Sequence, residues 1–261
     1  MVSAIGDQVT RVSVGDRVLL SQRIDGFAEK AVADEGATWR MPAAMRFEDG
    51  AAFGLVYITA YTSMIENAHA EASETVLITG ASGGVGLAMT QFGTAKGMRI
   101  IGGVTGPEKA ALVMANGAVG TVNLAAENLR DSVRDEVYAL TDGQGVDLVI
   151  DMVGGEVFDA ALRAIRPGGR IAIVGFASGQ IPTIKANYLL IKRLTAIGSP
   201  LGSGRADAGV GKDHAMAELL PLYEAGKLKP VITERFAFDD WRTALRRFKE
   251  RKVTGKIVMV P

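Results

Sequence analysis

Residues 75–86 read TVLITGASGGVG, and this stretch decides the fold. Thr75 to Thr79 is a β-branched and aliphatic run that reads as a buried strand, and Val85 to Ala95 reads as a helix with Leu87, Met89 and Phe92 towards its apolar side. Between them, Ala81-Ser82-Gly83-Gly84-Val85-Gly86 has the pattern AxGxxG, with alanine in the first glycine position. Glycines at such a turn let a pyrophosphate approach backbone N–H groups at a helix N-terminus, where the helix dipole favours negative charge. Taken alone the loop reads equally well as a turn without a ligand. A strand before it, a helix after it and a further strand within about 30 residues favour the dinucleotide reading. No Gly-Lys-Ser/Thr follows, which excludes a Walker-type phosphate loop.

Outward from this loop the same alternation continues. Arg99 to Val104 is the next strand and Pro107 to Asn116 the next helix, closed by Gly117. Val119 to Asn123 and Ala125 to Leu140 repeat the pattern, followed by a strand over Asp147 to Met152, a helix over Glu156 to Ile165, a turn at Pro167-Gly168-Gly169, and strands over Arg170 to Gly175 and Leu194 to Gly198. Continuous apolar strands such as VDLVID and RIAIVGF predict a parallel sheet covered on both faces, hence an α/β doubly wound (Rossmann) fold. Ala51 to Ile65 predicts a buried helix. At the flanks, Val9 to Leu20, with a tight turn at Gly15-Asp16, and Val231 to Phe236 with Lys256 to Val260 read as strands of a second, β-rich unit contributed from both chain ends.

Lysine plus arginine equals aspartate plus glutamate at 29 each, so no net positive field exists to hold nucleic acid or an anionic membrane. Cysteine is absent, which removes disulfides, thiolate nucleophiles and Cys-containing zinc sites, and no metal is expected. The N-terminus lacks the basic and apolar regions of a signal peptide, and no apolar run reaches the ~20 residues that span a bilayer, so a cytoplasmic location is expected.

TGASGGVG also fits TGxxxGxG, the short-chain dehydrogenase signature, and Tyr188 and Lys192 form the YxxxK that family uses for proton transfer. The long stretch before the loop, the short spacing to Tyr188, and glycine at 175 where a serine would fall count against it. Neighbouring positions on an amphipathic helix explain Tyr188 and Lys192 as well. The wider pattern is more specific. VSAIGDQVTRVSVGDRV, GAAFGLVYITAYTSMI, ETVLITGASGGVGLAMTQFGTAKGMRIIGG, FDAALRAIRPGGRIAIVGFASGQIP and RKVTGKIVMV resemble, in order and over essentially the whole chain, the medium-chain dehydrogenase/reductase superfamily in its zinc-independent NADPH:quinone oxidoreductase-like branch. The resemblance implies a dinucleotide-binding Rossmann domain over 56–225 and a GroES-like catalytic domain from 1–55 and 226–261. That domain is partial, lacking about the first 60 residues of the family, so its strand edges would need covering.

An acidic residue ~20 residues beyond the loop would bind the ribose hydroxyls of NAD. Val104 stands there instead, followed by Thr105, which can donate to a 2′-phosphate, and by Lys109, one helical turn on, which can add positive charge; NADPH is therefore expected. A solvated surface lysine is the alternative for Lys109. By resemblance, the cofactor-binding set is Thr59, Ser82, Gly83, Gly84, Val85, Gly86, Thr105, Lys109, Gly175, Phe176 and Lys256, with packing between domains the competing explanation for Thr59, Gly175-Phe176 and Lys256. Asn123-Leu124 occupies the place where many members of the family put a tyrosine. The implied reaction is hydride transfer to a small-molecule quinone or activated enone, impaired if the missing segment is truly absent. The alternatives are a non-catalytic NADPH-binding module and the short-chain reading. No catalytic residue is assigned, Tyr57 and Tyr61 reading as packed helix residues and His69 and His214 as surface residues. A homodimer through the edge of the cofactor sheet, at RLTAIG, is the expected assembly.

Overall fold

The computed structural model describes residues 1–21, 26–201, 208–250 and 253–260. In chain order the elements are β1 (Val18–Leu20), β2 (Thr38–Arg40), α1 (Phe47–Tyr61), β3 (Thr75–Thr79), α2 (Gly84–Ala95), β4 (Arg99–Val104), α3 (Pro107–Met114), β5 (Gly120–Asn123), α4 (Leu129–Leu140), β6 (Val146–Asp151), α5 (Gly155–Ala164), β7 (Ile165–Ile173), α6 (Ala186–Lys192), β8 (Thr195–Gly198), α7 (Ala208–Glu224), β9 (Ile232–Ala237), α8 (Trp241–Lys249) and β10 (Lys256–Val260). They fall into two compact units: Thr59–Ser203, and Met1–Ile58 together with Gly204–Pro261.

The first unit is a six-stranded parallel sheet in the order β5-β4-β3-β6-β7-β8. The inner strands were legible because their residues are buried on both faces: all five of β3 are buried, and Val149, Ile150, Ile171 and Ala172 are fully enclosed. One face packs Leu77, Ile101 and Val149 with Val133, Val137 and Phe158, each large side chain contributing roughly 1.5–3 kcal/mol by leaving water. Strand order reverses between β3 and β6, and in such sheets ligands bind outside the carboxyl ends of the strands at that point. Gly168 has φ +82°, so the expected turn at 167–169 lies as an irregularity inside β7, where pairing to β6 slips between Val146 and Leu148.

The flanking unit departs from expectation. Of Val9 to Leu20 only Val18–Leu20 is a strand, antiparallel to β2, which the sequence did not suggest. The Thr10 and Arg11 amides instead donate to the Glu35 carboxylate at 2.9 and 3.1 Å, which takes the donors a ladder would use and holds Glu35 below its ordinary range. Gly15 (φ +93°) makes the expected turn, with Asp16 N–H donating to the Ser13 carbonyl. β9 and β10 pair in parallel, with α8 between them in sequence. Helix α7 was not anticipated, because Gly209, Gly211 and Pro221 interrupt its pattern. The buried helix expected at 51–65 begins earlier, at Phe47, and passes at Thr62–Asn67 into a π-helical turn.

Candidate cofactor site

At the carboxyl end of β3 the chain turns through Gly80 (φ +69°). Ala81 N–H donates to the Gly103 carbonyl and Gly83 N–H to that of Gly80, both at 3.1 Å, so the loop is fixed by its own backbone. Helix α2 starts at once, and Leu87 N–H donates to the Gly83 carbonyl at 2.9 Å. The amides of Gly84, Val85 and Gly86 precede any intrahelical acceptor. Gly83 at the cap offers no side-chain oxygen and the first turn carries no acid, so nothing in the helix competes with an incoming anion. Gly86 is obligatory for a different reason: a Cβ there would lie 2.6 Å from both Ala81 Cα and the Gly80 carbonyl oxygen. Its hydrogen lets helix and loop touch. Ser82, nearly buried, completes the turn.

One strand over, β4 ends at buried Val104, with no carboxylate at the strand end. Thr105 is exposed, and Lys109, in the first turns of α3, donates from Nζ to Thr105 Oγ1 at 3.0 Å. The two residues singled out for a 2′-phosphate are therefore brought together. Glu108, the first acid after them, lies in the first turn of α3, where that helix's dipole favours negative charge. Asn123 turns its side chain back on the chain, accepting from Ala125 N–H at 2.9 Å.

Across the reversal point, Asp151 ends β6 with no solvent exposure. It accepts from Thr79 Oγ1 at 2.6 Å, from Val153 N–H at 3.3 Å and from Gly154 N–H at 3.0 Å. Burial raises its pKa, against the lowering effect of those three donors. Sequence reading missed this residue, because an aspartate at a strand end has no distinguishing pattern and Thr79 lies 72 positions away. The strand-end loop after β7 carries Gly175, half-buried, and Phe176, 41% exposed. It is held by Ala177 and Ser178 N–H donating to the Met152 and Val153 carbonyls, each at 2.9 Å. Gly175-Phe176 thus stands on the same edge of the sheet as the glycine loop.

Thr59 is buried in α1. Lys256 begins β10 in the other unit, its N–H donating to the Val231 carbonyl at 2.8 Å and its ammonium pKa lowered by burial. Tyr57 is 1% exposed and stacked on Phe53 with centroids 4.3 Å apart, and burial pushes its hydroxyl pKa far up. Tyr61 packs against Phe92. His69 and His214 are exposed. Among the described residues no cluster of three or more His, Cys, Asp or Glu could hold a metal ion.

The Tyr188/Lys192 pair is elsewhere. Lys192 Nζ donates to the Arg163 and Ile165 carbonyls at 2.7 Å, and Ile165 is the first residue of β7, on the amino edge of the sheet. Burial, then the charges of Arg163 and Arg134, lower its pKa. Tyr188 Oη accepts from Arg130 at 2.6 Å. The YxxxK spacing is a helix-surface coincidence on the side of the sheet opposite the glycine loop.

Residues 84–223 match the family model described as zinc-binding dehydrogenase. A quinone oxidoreductase-like protein 2 homolog of Nematostella vectensis is 36% identical over 261 residues, 99% of this chain and 70% of the relative. Among solved structures, a mycobacterial protein complexed with NADPH superposes with TM-score 0.90 at 29% identity, and an Escherichia coli quinone oxidoreductase complexed with NADPH with TM-score 0.88 at 25%; each match covers 99% of this chain and 79% of the other. Fold, loop and whole-chain similarity agree: the chain belongs to the medium-chain dehydrogenase/reductase family, in its quinone oxidoreductase-like branch.

Proposed function

We propose that the protein is an NADPH-dependent oxidoreductase that reduces a quinone or an activated enone. The observation that carries this is the pairing of Thr105 and Lys109 beside a strand end that lacks a carboxylate, next to a helix N-terminus whose donors are left open. A ribose 2′-phosphate would accept from both side chains, whereas a ribose 2′-hydroxyl would find no acid to donate to. Bound NADPH supplies the chemistry, donation of a hydride from its nicotinamide C4.

The chain's own residues bind and orient. The amides of Gly84, Val85 and Gly86, with Ser82 and Gly83, would hold the diphosphate, Thr105 and Lys109 the 2′-phosphate, and Gly175-Phe176 the nicotinamide end. Thr59 and Lys256 join this set by family resemblance. A quinone takes its protons from water and needs no dedicated acid, whereas an enone needs a positioned donor, a role for which buried Tyr57 is poorly suited. Residues 1–55 and 226–261 are read as the partial GroES-like domain and 56–225 as the dinucleotide domain. A non-catalytic NADPH module is the second reading, favoured by the 21–30% of each relative that this chain does not match.

Fluorescence titration with NADPH and NADH, followed by NADPH oxidation with small quinones, tests the proposal. NADPH should bind more tightly and be consumed. Tighter NADH binding would refute the cofactor assignment, and binding without turnover would favour the module. A homodimer through the outer edge of β8 is supported by exposed Leu190 and Ile191 on the neighbouring α6, and Ile197→Lys should then shift the size-exclusion volume towards the monomer.

A further inference from the structure

A doubly wound sheet is two mononucleotide-binding halves that meet where strand order reverses, and a dinucleotide lies across that crevice. Here β3, β4 and β5 form one half, carrying the glycine loop and the Thr105–Lys109 pair, and β6, β7 and β8 form the other. The adenine end therefore falls to the first half and the nicotinamide end to the second.

One buried group ties the halves together at the crevice floor. Asp151 Oδ1 accepts from the hydroxyl of Thr79, the last residue of β3, and from Val153 N–H, and its Oδ2 accepts from Gly154 N–H. Thr79 Oγ1 in turn accepts from Met152 N–H at 3.1 Å, which closes the box. Thr79 and Asp151 are both fully enclosed. The turn held by these bonds carries the second strand-end loop: the Met152 and Val153 carbonyls accept from Ala177 and Ser178, and Gly155 N–H donates to the Gln180 carbonyl at 3.1 Å. Gly154, at φ +74°, sits so close that a Cβ would lie 2.6 Å from the Gln180 carbonyl oxygen. Two successive amides and the hydroxyl at the end of β3 thus converge on a single carboxylate, whose desolvation cost is met only while all its donors are in place.

We propose that Asp151 is a positioning residue that couples the two halves of the sheet, holding the Met152–Gly155 turn, and through it the 175–180 loop, in the register that the nicotinamide half of the dinucleotide requires. The inference rests on the dinucleotide reading above. It predicts an asymmetry, because the carboxylate itself holds the turn after β6, whereas the glycine loop is fixed by its own bonds from Ala81 N–H to Gly103 and from Gly83 N–H to Gly80.

The test compares two ligands on the full chain: NADPH, and adenosine 2′,5′-bisphosphate, which fills only the adenine half. Asp151→Asn keeps the shape but turns an amide donor towards donors. NADPH affinity should fall about fivefold or more while the bisphosphate stays within about twofold. Thr79→Val removes the hydroxyl and should give the same split, with Thr79→Ser restoring wild-type values; this pair carries the test if Asp151→Asn does not fold. Unchanged NADPH binding, or equal loss for both ligands, would overturn the inference while leaving the cofactor site standing. Wild-type protein that binds neither ligand would overturn both.

Discussion

The two edges of the parallel sheet use polarity in opposite ways. On the amino edge charged side chains pair with one another or with carbonyls. Arg170 forks onto Glu74 at 2.9 and 2.7 Å and also donates to the Ala68 and His69 carbonyls; Arg166 pairs with Asp147, which accepts from Thr75 N–H; Lys192 is held by two carbonyls. On the carboxyl edge the donors are backbone amides at the start of α2, with no acid or capping side chain to take them. Paired charges brace the amino edge, while the helix-start amides of the carboxyl edge stay open. Substitutions should therefore separate stability from binding according to the edge they touch.

The largest effect is expected on the carboxyl edge, at Gly86→Ala. Alanine is the better helix former by ~1 kcal/mol, yet its methyl would press on the backbone of Gly80 and Ala81, so we expect a net loss of about 3 kcal/mol and no measurable NADPH binding. Denaturant melts with and without NADPH check both parts. Glu74→Gln on the amino edge should cost about 2–3 kcal/mol by leaving Arg170 without its counter-charge, the side chains being 17% and 18% exposed, and should leave NADPH affinity unchanged in the protein that remains folded.

The same pair sets an acid limb. Burial alone would raise Glu74, but donation from Arg170 and the Glu71 amide and the charges of Arg170 and Arg166 outweigh it, so the folded pKa lies below the ordinary value. The pair's contribution is then fully present above the unfolded pKa of about 4.3 and is lost as pH falls through the folded value. Melts from neutral pH downward should show this slope in wild type and a shallower one in Glu74→Gln.

Lys109→Gln should weaken NADPH about tenfold and leave NADH within about twofold, because only the 2′-phosphate is charged. Parallel titrations decide it. Equal losses for the two nucleotides would make Lys109 a helix-surface residue. Smallest of all, Tyr188→Phe should change stability by less than about 1 kcal/mol and quinone turnover not at all, since Tyr188 contacts Arg130 on the amino side; loss of turnover would revive the short-chain reading.

The regions that the sequence revealed differ from those it concealed in how local their determinants are. β3 and β4 were visible to within a residue, since a continuous apolar run and its glycine punctuation lie within one window. Gly117, with φ +106°, closes α3 as expected, whereas Ala125 to Leu140 shrinks to Leu129–Leu140. β2 was invisible because three residues make it a strand only through pairing with β1. Thr105 with Lys109 could be read as a pair because four residues on a helix start bring them into reach. Asp151 with Thr79 could not.

By itself, then, the sequence determined the alternation of strands and helices, the glycine loop and the absence of an acid after the second strand, all consequences of short-range sterics and periodicity. Tertiary structure alone decided which polar groups are consumed by the fold and which stay open. Those bonds join residues far apart in sequence, 102 positions for Arg170 and Ala68, and their worth comes from burial that only the assembled sheet provides.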